Sequence, residues 1–265
     1  MTSNNVDISS LQYNFGAASM NDAENSHLWV EGATQFIPSL NKLLEKANQD
    51  MPIINVNTFD NDDMYVLGDI LMNHQSDKST THNYNILYSH ILTLLGKNEK
   101  LNLLEIGLGT NNPNIVSSMG TEGRPGASIY AFREYLPNAQ IYGADVDKDI
   151  LFQDERIKTA FVDQMKPETF QTMLESFGDI PKFDFIIDDG LHSIAANFNT
   201  LLFALDNLKN GGWFVVEDIG ETMVDNWRVI DNILKKMDLY ETMMVKTTGG
   251  YYYQNTSFVY VVHKK

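Results

Sequence analysis

The chain has 265 residues, 43% of them hydrophobic and 20% charged. That composition fits a globular protein of one large domain, or one domain with an appendage, and excludes disordered, collagen-like and coiled-coil chains. Nineteen Lys and Arg stand against 35 Asp and Glu, a net charge of −16, so phosphate backbones and anionic lipids repel the chain and nucleic acid and membranes are poor partners. Cysteine is absent, which removes disulfides, thiolate catalysis and thiolate-bound zinc. The opening MTSNNVDISS has no basic segment ahead of an apolar core, and no apolar run approaches the ~20 residues of a membrane span. A cytoplasmic location is expected.

The texture changes near residue 100. Residues 1–24 are polar and without strong periodicity, whereas Leu28, Val30, Phe36, Ile37, Leu40, Leu43 and Leu44 recur at mostly three- and four-residue spacings. They predict an amphipathic helix within 25–49, broken or restarted at Pro38. Two more helices are predicted, over Asp62–Met72 behind the capping candidates Asn61 and Asp62, and over Tyr84–Leu95, ending before Gly96. Residues 1–99 therefore read as a helical N-terminal region. From residue 100 short apolar runs alternate with helical patterns, as in repeated β–α units with a parallel sheet. The predicted strands are Leu101–Ile106, Gln140–Ala144, Ile157–Val162, Phe183–Ile187 and Trp213–Val216. Between them lie helices over Ala127–Tyr135, Pro167–Phe177 and Ile194–Leu208. Two closing β-rich runs, Leu239–Thr247 and Ser257–His263, flank a turn with Gly249 and Gly250 and predict an antiparallel pair. The expected architecture is an α/β sheet of seven strands, mostly parallel.

Open α/β sheets bind ligands beyond the carboxyl ends of their strands, so the residues after each strand carry the chemistry. The first strand gives LLEIGLGTNN, with Glu105 followed by Gly107 and Gly109, glycines that permit a tight turn and close approach of a ligand to the backbone. A dinucleotide fingerprint would want glycine where Asn112 stands, which opposes a nicotinamide cofactor. The second strand ends in Asp145, placed to accept bonds from ribose hydroxyls. The third runs into Asp163 and Gln164, able to bond an adenine edge. The fourth ends DDGLH and the fifth in Glu217–Asp218. Paired acids on adjacent strands repel unless something positive sits between them, and oxygen donors without thiolates suit Mg²⁺. His192, three residues past Asp189, is a candidate general base. Trp213 and Tyr251–Tyr253 could line an acceptor pocket, but buried strand and hairpin packing is the better explanation of them.

In this order LLEIGLGT, YGADVD, Asp163 and the late antiparallel pair resemble the class I S-adenosylmethionine-dependent methyltransferases, whose Rossmann-like fold would then occupy residues 100–265. More narrowly, SDKSTTHNYNILY, GRPGASIYAFREYLPNAQIYGADVD, IIDDGLH and VVEDI resemble metal-dependent O-methyltransferases that modify sugars, among them macrolide-tailoring enzymes and relatives encoded with bacterial surface-polysaccharide genes. The resemblance implies a methyl donor held by Glu105, Gly107, Gly109, Asp145, Asp163 and Gln164. It implies Mg²⁺ on Asp189, Glu217 and Asp218, with His192 and Asp189 as catalytic residues. Asp77, Lys78, His82 and Tyr84 match a stretch that in the family closes over donor or acceptor, which places Lys78 and Tyr84 at the cofactor. Residues 1–99 are expected to serve oligomerisation or act as a substrate lid. The acceptor would be a small-molecule sugar or nucleotide sugar. A phosphoramidate or phosphate oxygen of a capsule precursor or a small phenol is an alternative, and so, from another class, is a non-catalytic S-adenosylmethionine- or nucleotide-binding module.

Overall fold

The computed structural model describes residues 38–40, 42–46, 51–178, 182–247 and 257–265. Residues 38–40 and 42–46 are helical; the rest of the helix expected within 25–49, Gly249–Gly250 and Tyr251–Tyr253 lie outside the described residues.

The strands are β1 (Ile53–Asn55), β2 (Asn102–Ile106), β3 (Gln140–Asp145), β4 (Gln153–Asp154), β5 (Ile157–Phe161), β6 (Phe183–Asp188), β7 (Leu208–Ile219), β8 (Tyr240–Thr247) and β9 (Ser257–Lys264). The longer helices are α1 (Asp63–Asn73), α2 (Tyr84–Leu95), α3 (Ala127–Tyr135), α4 (Glu168–Phe177), α5 (Ile194–Asn207) and α6 (Val224–Lys235). Apolar residues run nearly unbroken along the central strands, successive side chains pointing to opposite faces, as a sheet covered on both faces requires. Phe214 and Val216 of β7 join one core with Phe170 of α4, Leu201 of α5 and Trp227 of α6. Trp213 and Val215 join the other, with Leu67 of α1, Tyr84 and Tyr88 of α2 and Phe132 of α3. Each large side chain so buried contributes about 1.5–3 kcal/mol. Trp213, stacked on His263 at 4.2 Å between ring centroids, belongs to this packing.

Among the described residues the sheet has nine strands rather than seven, in the order β1-β8-β9-β7-β6-β2-β3-β5-β4. The five expected parallel strands are there, flanked by antiparallel β8 and β9 paired from Tyr240↔Lys264 to Thr247↔Ser257. The additions sit at the two edges. Three-residue β1 runs parallel to β8, and two-residue β4 runs antiparallel to β5. Both are too short to show a two-residue period, so only their partners create them. The N-terminal region is therefore not wholly helical. At the centre β2 lies between β3 and β6, so its connections leave in opposite directions and open a crevice at the carboxyl ends, the usual ligand position.

Candidate active site

Two backbone bonds lash the crevice together: Gly107 N–H donates to Ala144 O at 2.8 Å and Asp189 N–H to Ile106 O at 2.8 Å. Gly107 has φ +96°, and a β-carbon there would lie 2.0 Å from Asp189 O, so both conformation and space demand glycine. Asp145 stands at the β3 tip as expected, yet its carboxylate already holds the glycine loop. Oδ2 accepts from Leu108 N–H at 2.7 Å and Oδ1 from Asp147 N–H at 2.8 Å. Asp147 in turn accepts from the Thr110 hydroxyl. Gln164 is likewise committed: its amide donates to Asp188 Oδ1 and Thr200 Oγ1, each at 2.7 Å, and its carbonyl accepts from Leu191 N–H at 2.8 Å. Asp163 is more open, bonded by Met165 N–H and by Lys166 at 2.8 Å; this ammonium holds its carboxyl below the usual carboxylate range.

Two clefts meet at this loop. One, of about 230 Å³, is mainly apolar and is bordered by Gly107, Gly109, Ile115, Val116, Asp145, Val162, Asp163 and Gly190. The other, of about 290 Å³, is mainly polar and is bordered by Asp77, Lys78, Ser117, Arg124, His192 and Asp218. Gly107, Gly109, Ser117 and Asp189 face both. A ligand lying across the glycines thus reaches from an apolar slot into a charged one.

The charged slot collects the acids of three strand ends. The β7–β9 register slips between Val216 and Ile219, where Asp218 adopts φ +54°; such a bulge re-aims side chains. His192 also has positive φ, +53°. Non-glycine residues in this region are uncommon and gather at functional sites. His192 Nε2 lies 3.8 Å from Asp189 Oδ1 and 3.9 Å from Asp218 Oδ2, and its Nδ1 is buried without a hydrogen-bond partner. Asp189, His192 and Asp218 each offer one ligand atom within 4.8 Å of the others. Glu217 is turned elsewhere: Lys78 Nζ donates to its Oε2 at 2.7 Å and its Oε1 at 2.9 Å, and the Tyr88 hydroxyl also donates to Oε1. The same Nζ donates to Asp189 Oδ2 at 2.6 Å and lies 3.1 Å from Glu105 Oε1. Tyr84 is fully buried and its hydroxyl donates to Asp218 Oδ1 at 2.7 Å. His82, stacked on Tyr84 at 4.9 Å, brings Nδ1 within 3.4 Å of that oxygen.

Burial alone would pull the Lys78 ammonium down, but Asp189, Glu217 and Glu105 together outweigh it and hold its pKa well above the ordinary lysine value. Burial, followed by repulsion from Asp189, pushes Glu217 well up against the attraction of Lys78. Burial also raises Glu105. Burial would raise Asp218 too, but His82, the Tyr84 hydroxyl, His192 and Lys78 prevail and hold it below the usual carboxylate range. Asp189 and Asp218 are the strand-end acids that border the polar cleft, and a hard divalent cation fits their carboxylates beside His192.

The chain has the Rossmann-like methyltransferase fold, with a mixed sheet. In sequence it resembles sugar O-methyltransferases of macrolide and related pathways. It is 30% identical over 155 residues to the 8-demethyl-8-(2-methoxy-alpha-L-rhamnosyl)-tetracenomycin-C 3'-O-methyltransferase of Streptomyces olivaceus, covering 58% of this chain and 36% of that protein. It is 31% identical over 125 residues to the mycinamicin VI 2''-O-methyltransferase of Micromonospora griseorubida, covering 46% of this chain and 28% of that protein. The chain thus spans about a third of the length of the curated relatives it matches. Among solved structures the MycE methyltransferase of the mycinamycin pathway, in complex with Mg and SAH, superposes with a TM-score of 0.56 at 23% identity, covering 75% of this chain and 54% of that one. The form holding mycinamycin VI as well superposes with the same score at 20% identity. No family model matches the chain.

Gly107, Gly109, Asp145, Asp163 and Gln164 border the apolar cleft, while Lys78, Asp189, His192 and Asp218 border the polar one. Glu105 lies behind the lysine, and its Oε2 accepts from Ser128 Oγ at 2.5 Å. Tyr84 borders neither cleft and instead reaches the acids. Sequence reasoning missed Tyr88 and Ser128; Asp188, one of the paired acids it set at the β6 end, is buried and accepts from Gln164, Asn197 and Gly190. Tyr88 had a visible signal, four residues after Tyr84 on one helix face.

Proposed function

We propose that the protein transfers the methyl group of S-adenosylmethionine to a hydroxyl of a sugar, with a divalent ion such as Mg²⁺ as cofactor. The observation that carries this reading is the meeting of an apolar slot and a carboxylate–histidine cluster across Gly107 and Gly109, with Asp189 facing both. Similarity to sugar O-methyltransferases supports the acceptor class.

S-adenosylmethionine would supply an activated methyl group with a neutral leaving group, and the ion a Lewis acid that lowers the pKa of a hydroxyl. This chain's residues would do the rest. Gly107 and Gly109 admit the donor against the backbone. Asp145 holds the loop that receives it, Asp163 offers a carboxylate at its far side, and Gln164 shapes the floor. Ile115 and the buried Val162 wall the apolar slot, and alignment of donor and acceptor supplies much of the acceleration. His192 Nε2 takes the acceptor proton, and the carboxylates of Asp189 and Asp218 stabilise the imidazolium that results. Asp189 and Asp218 would hold the ion, with Glu217, bonded to Lys78, as the third carboxylate, and His192 Nε2 stays free for the proton.

The acceptor is a sugar on a natural product or on a nucleotide-linked or surface-polysaccharide precursor, and the enzyme works in the cytoplasm as a homo-oligomer, without nucleic acid or membrane partners. In support, no helix among the described residues is long and apolar enough to cross a membrane. Residues 1–99 contribute to acceptor selection, since Asp77 and Lys78 border the polar cleft. The test is S-adenosylhomocysteine production across macrolide glycosides and nucleotide sugars, with and without Mg²⁺. Ion-dependent turnover with a mass gain of one methyl on a sugar bears the reading out; an acceptor methylated at the same rate after chelation overturns the ion's role.

A further inference from the structure

Lys78 stands in the turn between α1 and α2, and its backbone has little freedom. Tyr84 N–H donates to Lys78 O at 2.8 Å, Thr81 N–H to Asp77 O at 2.8 Å, and Ser79 Oγ to Gly68 O at 3.0 Å. From this anchored base the side chain, 3% exposed, reaches acids 111 and 139 residues further along the chain. An ammonium has three protons, and three carboxylates surround this one. Glu217 Oε1 and Glu105 Oε2 have further partners in Tyr88 and Ser128. Asp189 differs: with Oδ2 on the lysine, its Oδ1 is turned toward His192 Nε2.

We infer that Lys78 is a positioning residue for the divalent ion, fixing which oxygen of Asp189 faces the Asp189–His192–Asp218 cluster and tying the turn before α2 to that choice. The inference rests on the ion proposed above. It has a consequence of unusual sign. A lysine that acted only through its charge would repel the ion, and its removal would tighten ion binding. A lysine that orients the ligand carboxylate does the opposite: without it Asp189 rotates, the buried Glu105 and Glu217 lose their partner, and the ion binds more weakly.

Mn²⁺ binding, read by calorimetry and by the paramagnetic signal of the free ion, separates the two. The native protein should bind Mn²⁺, and Lys78→Met should bind it at least tenfold more weakly while keeping its far-ultraviolet circular dichroism. Because the chain has no cysteine, Lys78→Cys can be alkylated at that one thiol with 2-bromoethylamine, which restores an ammonium on a lysine-length arm; affinity should return to within threefold of native. Equal or tighter binding by Lys78→Met, with native binding intact, overturns the inference alone. No Mn²⁺ binding by the native protein sinks the ion reading and the inference with it. Should the variants not fold, the unaltered protein still decides: a slowly exchanging lysine ¹⁵Nζ resonance should move on Mg²⁺ addition, and a resonance that stays put is a refutation.

Discussion

Replacing Gly107 by alanine tests how the glycine loop couples donor and ion sites. The new methyl would lie 2.0 Å from the Asp189 carbonyl oxygen, 2.4 Å from its carbon and 2.8 Å from Gly190 Cα. All three are backbone atoms, which cannot swing aside as a side chain can. Left-handed backbone costs a non-glycine residue about 1–2 kcal/mol, and overpacking adds about 1–3 kcal/mol, so the loss should be about 2–5 kcal/mol. At 2–4 °C per kcal/mol for a domain of roughly this size, Tm should fall by about 5–20 °C. Gly120 supplies the control: its φ of +77° matches, but a β-carbon there meets nothing within 4 Å. Gly120→Ala should therefore lose only the conformational part, about 1–2 kcal/mol. Thermal unfolding followed by circular dichroism measures both, and S-adenosylhomocysteine titration should show at least tenfold weaker binding for Gly107→Ala. Equal Tm losses in the two variants would refute the claim that contact with the β6 strand end, rather than backbone conformation, makes Gly107 obligatory.

His192→Ala should cut turnover by ~10²–10⁴-fold while S-adenosylhomocysteine affinity stays within threefold; a variant at full rate would remove His192 as the base. Asp145→Ala leaves the Leu108 and Asp147 N–H groups without their acceptor, at ~1–3 kcal/mol for each that stays buried and unpaired, and should weaken donor binding together with Tm. A loss of donor affinity at unchanged Tm would point instead to direct contact with the donor. Dialysis against a chelator should abolish turnover and added Mg²⁺ restore it, read by S-adenosylhomocysteine release. Asp188→Asn sets an amide against the Gln164 and Asn197 donors and should cost ~1–3 kcal/mol in urea unfolding.

Helices α2 and α3 and strands β2, β3, β5, β6 and β7 were legible because local pattern and tertiary role agree there. Each strand alternates apolar residues toward two covered faces, and each helix carries one apolar stripe. Strands β1 and β4 were not, since two or three residues carry no period and gain their form from β8 and β5. At the site, the order of acids along the strand ends was readable, and so was their need for a positive partner. That a buried lysine meets part of that need was not, because the contact spans more than a hundred residues and no spacing rule reaches so far. Asp145 and Gln164 show a different limit. A polar side chain at a strand tip is equally suited to a ligand or to a neighbouring loop, and here the backbone of Leu108 and the side chain of Asp188 occupy them.

The burial of Tyr84, Tyr88 and Lys78 against Asp218, Glu217 and Asp189 bears on where the chain can be cut. A fragment beginning at residue 100 would keep every β–α unit that follows, yet it would strip the sheet's acidic rim of two phenol donors and of the ammonium that bonds Asp189 and Glu217. Such a piece would open onto water a floor of acids that the whole chain keeps roofed, so the half of this molecule after residue 100 is finished only by the segment that precedes it.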